Sequence, residues 1–404
     1  MIYRFQGDRH IVAFPEDSTE FVADRLRWDR DELHGQLSVS TGLLGARATG
    51  DGDGLVSFGT FNFSSPRAAR DRAKELTERT RAPKVDWIGR LDTVRYYILM
   101  AERQGTPSID LRTVAKSAQD DELTVDGFGV PTRHSTLIFG DGGTAKSLFA
   151  LWFGGFLAQQ GVRVGLFDWE LDAYAHRDRL ERLFGAVMPE IRYVRCERPL
   201  VYEVDRLRRV VADDGLAFGI FDSVGFAVPG RPEDAEHAMG YFRAVRQLGI
   251  GSLHIAHVRQ GDNNDQRPFG STFWHNAARS TWYIKLAATS PDGTCKTIGL
   301  FNRKANLRGL RPAVGYQIRF DADPVTFAQV DVADHRALAE SLPLWKRMQH
   351  ALNRGPLTLA RLAEEIGANT DTLDRTVRRK SALFMRVSSP DGISRIALVD
   401  QRSA

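Results

Sequence analysis

The chain has 404 residues, more than one hydrophobic core usually organises, so two or three domains are expected. With 42% hydrophobic and 26% charged residues it has the composition of an ordinary folded protein, and its two cysteines, Cys196 and Cys295, exclude a disulfide scaffold. Net charge is only +4, yet residues 343–404 hold 11 basic and 6 acidic side chains while the rest hold 44 and 45. A basic excess confined to a small terminal unit fits a nucleic-acid contact, and fits a solvated basic surface equally. Residues 1–10 carry no apolar core of signal-peptide type. The longest apolar run, residues 148–158, is about half of what a bilayer requires. A cytoplasmic protein without a membrane partner is expected.

In chain order, residues 1–105 read as an N-terminal α+β unit. Strands are expected at 10–14, 33–40 and 55–63, with a glycine–aspartate turn at 50–54. Ser65-Pro66 opens a charged helix over 67–81, and a second helix covers 87–103. No catalytic motif is visible there, and its aromatic and basic residues read as core and surface. From 106 to 330, strands at 135–139, 162–169, 192–196, 217–222 and 252–257 alternate with helices at 146–160, 176–184, 204–212 and 233–248. That alternation predicts an α/β core with a mostly parallel sheet. Strands at 280–286, 297–301 and 316–320 follow, and antiparallel additions to the sheet would fit them.

Residues 343–404 predict three helices, at 344–352, 359–366 and 370–380. Gly355-Pro356 breaks the first from the second, Thr358 caps the second and Gly367 stops it. Two strands, 384–388 and 394–399, follow around a turn at 389–392. Three helices and a hairpin make a winged helix-turn-helix pattern, with 370–380 in the recognition-helix place. Arg375, Arg378, Arg379 and Lys380 would then face duplex DNA. Such units also serve as protein contacts.

The most informative segment is Gly140-Asp141-Gly142-Gly143-Thr144-Ala145-Lys146-Ser147, between a strand and a helix. It fits the P-loop spacing except for Ala145 where glycine is usual. A glycine-rich turn aims backbone N–H groups into a concavity for phosphate, and the following helix adds its positive end. Lys146 would reach the terminal phosphates of ATP, and Ser147 would offer its hydroxyl to Mg²⁺. Ala145 would be strained if its position needs a positive φ. Asp222 closes an apolar strand, where it would steady Mg²⁺. Glu170 follows another strand, where it would polarise the attacking water.

These residues, with Asp168-Trp169-Glu170, Asp222-Ser223, His254-Ile255-Ala256-His257, Arg267-Pro268-Phe269-Gly270-Ser271, Asn276-Ala277-Ala278-Arg279-Ser280 and Lys304-Ala305-Asn306, resemble the RepA-type members of the RecA-like ATPases. The resemblance covers roughly residues 125–320. That family includes hexameric replicative helicases of plasmids and phages. The resemblance implies a RecA-like P-loop core with Glu170 as catalytic glutamate, Asp222 as the Walker-B aspartate and His257 as γ-phosphate sensor. It also implies that Arg279 and Lys304 approach the nucleotide of a neighbouring subunit, the alternative for both being ordinary surface charge.

The expected function is therefore an Mg²⁺-dependent, DNA-dependent ATPase and helicase. It would form a homo-oligomeric ring, hexameric as in that family, with single-stranded DNA through the core and duplex DNA on the winged helix. The loop 260–269, which would line the channel, is mostly acidic or amidic. That composition keeps two alternatives open, an ATP-switched DNA-binding regulator without unwinding and a nucleotide-gated scaffold.

Overall fold

The computed structural model describes residues 1–6, 9–43, 46, 54–105, 108–115, 122–257, 272–307, 309–388 and 392–399. Most of the expected turn at 50–54, the loop 260–269, the Arg267-Pro268-Phe269-Gly270-Ser271 motif and most of the turn at 389–392 lie outside these residues. The described residues divide into two units, Met1–Lys116 and Ser117–Ala404.

The first unit is an antiparallel meander of β1 (Ile2–Gln6), β2 (Arg9–Phe14), β3 (Thr19–Asp29), β4 (Glu32–Ser40) and β5 (Leu55–Asn62), followed by α1 (Pro66–Thr80) and α2 (Trp87–Gln104). Alternate residues such as Phe21, Ala23, Leu37 and Val39 turn inward to meet Leu76, Trp87, Leu91 and Val94 of the helices. Ser65 caps α1 and Asp86 caps α2, each accepting a backbone N–H three residues on. Two strands go beyond the expectation. β1 is an edge strand with an almost wholly exposed pattern, and β3 carries charges between its inward residues.

The second unit begins with the hairpin β6 (Glu122–Val125) and β7 (Phe128–Pro131). It continues through β8 (Ser135–Gly140), α3 (Lys146–Gln159), β9 (Val164–Asp168), α4 (Ala173–Phe184), β10 (Ile191–Arg195), α5 (Leu200–Asp213), β11 (Phe218–Asp222), α6 (Ala235–Leu248) and β12 (Gly251–His257). Then come α7 (Thr272–Ala277), β13 (Ser280–Thr289), β14 (Cys295–Ala305), β15 (Val314–Arg319) and β16 (Thr326–Val330). The sheet has nine strands in the order β10-β9-β11-β12-β8-β13-β14-β15-β16. From β10 to β13 neighbours are parallel, and from β13 to β16 they are antiparallel. The strand at Ser280–Thr289 thus joins the parallel set rather than the antiparallel extension.

The central strands are apolar throughout because helices cover both faces. Nearly all of α3 is buried, with Phe149, Trp152 and Phe153 packed among Phe128, Tyr316 and Phe327. Each such ring stabilises the fold by about 1.5–3 kcal/mol through apolar burial. Gly155 lets α3 lie against Phe184, since a Cβ there would meet that ring at 2.3 Å. The unit ends with α8 (Arg336–Ala339), α9 (Leu344–Leu352), α10 (Leu359–Ile366), α11 (Thr370–Arg379) and the antiparallel hairpin β17 (Phe384–Ser388) and β18 (Ser394–Leu398). Met348, Leu352, Leu362, Leu373, Val377, Phe384 and Ile396 form a separate small core there. Among the described residues no helix is long and apolar enough to cross a membrane.

Candidate functional site

Strand β8 delivers the chain to its C-terminal edge at Gly140, where residues 141–145 turn back into α3. The loop needs two left-handed residues, Gly143 at φ +74° and Ala145 at φ 62°. Ala145 therefore carries the strain that its side chain implies, about 1 kcal/mol relative to glycine. Lys146 is buried, and its Nζ donates to the carbonyls of Gly140 at 2.9 Å and Asp141 at 2.6 Å. Burial pushes its pKa down to about 8, against the pull of Asp141, Asp222 and Glu170. The strand, the loop and the helix form a P-loop.

Asp222, at the end of β11, lies beside the first turn of α3 and is hydrogen-bonded by the Ser147 side chain. Burial pushes its carboxyl up to about 6, and its Oδ1 has no hydrogen-bond partner among the described residues. A buried carboxylate oxygen without a partner beside a serine hydroxyl suits Mg²⁺, which takes few protein ligands and completes its shell with phosphate and water. Ser147 and Asp222 would hold the ion.

The turn after β9 is built by Asp168. It is fully buried, and it accepts the backbone N–H of Glu170 at 3.0 Å and of Leu171 at 3.1 Å. Burial alone would raise its pKa, but hydrogen bonds from His176 and these N–H groups hold it below the usual carboxylate range. Glu170 is thereby held out, exposed, on the wall of a cavity of about 410 Å³. Lys146, Ser147 and His257 line the same cavity. Its volume is within the range of small-ligand pockets. His257 closes β12, and burial, then the nearby Lys146 charge, holds its pKa below the ordinary value. Residues 140–147, Glu170, Asp222 and His257 are thus brought to one sheet edge.

No protein-family model matches the chain, and a comparison with curated proteins finds no match. Among solved structures the chain is similar to a KaiC-like protein of the hyperthermophilic archaeon Pyrococcus horikoshii OT3, at 14% identity and a TM-score of 0.40, over 49% of this chain and 91% of that one. It is also similar to a second solved structure, an isolated ATPase domain, at 13% identity and a TM-score of 0.41, over 50% of this chain and 86% of that one.

Arg279 and Lys304 lie elsewhere. The Arg279 N–H donates to the Ser135 carbonyl at 3.0 Å, and Thr281 is paired with Lys304 across β13 and β14. Both therefore sit at the edge where β8 begins, roughly 17 Å of strand from the P-loop. Arg279 is exposed and lines a second cavity of about 330 Å³, with His134, Asn302, Asn306 and Arg311. The Lys304 ammonium donates to the carbonyls of His275, Asn276 and Ala278 within the chain, at 3.0, 2.6 and 2.8 Å. In the C-terminal helices, Arg375 and Arg379 are exposed, Arg378 pairs with Asp374 at 2.6 Å, and Lys380 lies over the Trp345 ring.

Sequence reasoning missed four further residues of the P-loop cavity: Arg179 and Arg182 of α4, Lys296 of β14, and Phe320 after β15. One Arg179 guanidinium nitrogen is buried without a partner among the described residues. The helical spacing of Arg179 and Arg182, nine and twelve residues after Glu170, was the available signal. For Lys296 and Phe320 no local pattern exists.

Proposed function

We propose that the chain is an Mg²⁺-dependent ATPase of the RecA-like class, and that it works as a ring-forming, DNA-dependent motor of RepA type. The observation that carries this reading is the convergence of Lys146, Ser147, Asp222, Glu170 and His257 on one cavity at the C-terminal edge of the parallel sheet. The P-loop N–H groups and Lys146 bind the phosphates of ATP. When bound, Mg²⁺ draws charge from the phosphoryl oxygens. Glu170 orients a water and takes its proton as the water attacks the γ-phosphorus. His257 contacts the γ-phosphate end of the cavity.

Arg279 supports the ring. It is too far from its own P-loop to serve that site, so any role at phosphate falls on a second copy. The C-terminal unit, read as a winged helix, takes duplex DNA through Arg375 and Arg379. The test is ATP hydrolysis with and without single-stranded DNA, with particle masses measured in parallel. Stimulated turnover by particles of several subunits is expected. Absence of Mg²⁺-dependent hydrolysis under all conditions overturns the reading. A regulator without unwinding is the second reading, favoured by the two arginines, Arg259 and Arg267, being the only cations of residues 258–271. Hydrolysis without strand separation would select it.

A further inference from the structure

Lys296 reaches the P-loop from a distant strand. Its Nζ donates to the Gly143 carbonyl at 2.8 Å, across 153 residues of sequence. Its ammonium also lies 6.0 Å from the centre of the Phe320 ring, at the same cavity wall. Gly143 is one of the two left-handed residues of the loop, so the peptide it begins is the one least held by regular structure.

The Gly143–Thr144 peptide is trans, so its C=O and N–H point to opposite sides. Holding the Gly143 carbonyl toward Lys296 therefore turns the Thr144 N–H toward the concave side of the loop. A hydrogen bond to an ammonium also polarises the peptide and strengthens its N–H as a donor. We propose that Lys296 is a positioning residue for the phosphate cradle, acting through the Gly143 carbonyl to fix the Thr144 N–H for a polyphosphate chain. The inference rests on the nucleotide reading of this cavity. Lys296 is not needed to hold Mg²⁺ or to activate water, so its effect is on binding and release, not on the chemical step. Its strand pairs with β13, whose own parallel partner is β8, so the tether closes a loop of structure around the P-loop from the antiparallel side.

The experiment compares wild type, Lys296→Met and Lys296→Arg in the full chain, titrated with Mg²⁺–ATP and with tripolyphosphate. Lys296→Met should weaken both ligands about tenfold and speed ATP dissociation, the scale of one lost hydrogen bond to a charged group. Lys296→Arg should restore most of the affinity, and kcat at saturation should stay within about twofold. At about 0.5 M salt the Debye length is only a few ångström, so a positioning effect persists there while a long-range charge effect disappears. Unchanged affinity in Lys296→Met overturns the inference, as does a loss that vanishes with salt. So does a loss that Lys296→Arg fails to restore and that matches a fall in ligand-free melting temperature. A wild-type chain that binds neither ligand overturns the nucleotide reading itself and the inference with it.

Discussion

The carboxylate of Asp168 accepts the backbone N–H of Glu170 at 3.0 Å, so a fully buried acid fixes the turn that presents an exposed one. Asp168 is further held by the Tyr193 hydroxyl at 3.1 Å, with His176 Nε2 and an Arg195 nitrogen each 3.5 Å away. Removing it leaves two backbone N–H groups without their acceptor. Asp168→Ala should lower kcat at least about tenfold by misplacing Glu170, and should cost about 2–3 kcal/mol of stability. Glu170→Gln should lower kcat by about 10² with no loss of stability and little change in ATP affinity. Steady-state kinetics and denaturant melts of the two variants check this; equal turnover in wild type and Glu170→Gln would remove Glu170 from the chemistry.

The pH dependence of kcat/KM should be bell-shaped. Asp222, raised to about 6 by burial, must be ionised to hold Mg²⁺, so the acid limb falls as pH drops through about 6. Lys146, lowered to about 8 by burial, must be protonated to attract phosphate, so the alkaline limb falls as pH rises through about 8. The signs are opposite because the charged form is needed in both cases and burial disfavours it in both. A profile flat between about pH 5 and 9 would contradict this assignment.

Ala145 sits at φ 62° where its Cβ crowds the backbone. Ala145→Gly should stabilise the ligand-free chain by up to about 1 kcal/mol, less what glycine adds to unfolded-chain entropy. Ala145→Val should destabilise it by more, because a branched side chain is worse still in that region. Thermal melting of both variants measures the difference. A destabilised Ala145→Gly would mean that strain at this position is relieved by its surroundings.

The P-loop was legible because its chemistry is local. Spacing alone puts Lys146 and Ser147 at the head of a helix, and an apolar run ending in acid puts Asp222 at a sheet edge. The C-terminal helices were legible for a similar reason, with Thr358 and Gly367 marking where α10 starts and stops. Lys296 was not legible. It stands 153 residues from Gly143, and only the insertion of β13 between β8 and β14 brings them together. The position of Arg279 was half legible. Its sequence neighbourhood was visible, but its separation from the P-loop follows from the parallel pairing of β13 with β8, which an antiparallel strand would have reversed.

The C-terminal unit should bind duplex DNA through the exposed face of α11. Arg375→Ala with Arg379→Ala should weaken duplex binding and reduce the salt slope of log Kd by about 2, one for each phosphate that is no longer neutralised. Arg378→Ala should do less, since Arg378 is already paired with Asp374. Fluorescence anisotropy across a salt series checks this. An unchanged slope in the double variant would assign the unit to protein contacts.

Arg279 tests whether the ATPase works as a ring. Its N–H is held by Ser135 at the foot of β8, and the P-loop begins at the head of the same strand. No rotamer of one arginine spans a strand of six residues, so a catalytic role for Arg279 requires a second copy. A cation delivered from a neighbour stabilises charge on the transferred phosphoryl group and makes hydrolysis conditional on assembly. Arg279→Ala subunits should then bind ATP normally and hydrolyse it slowly, while Lys146→Ala subunits should bind it poorly. In a mixture, some interfaces join an intact P-loop from one variant to an intact Arg279 from the other. Turnover should therefore rise above that of either variant alone and peak near equal proportions. Arg279 acting only within its own chain gives no such rise, because every subunit then carries its own defect. Mixed particles confirmed by mass, with turnover that never exceeds the weighted mean of the two variants, would exclude the trans role and favour an ATP-switched regulator.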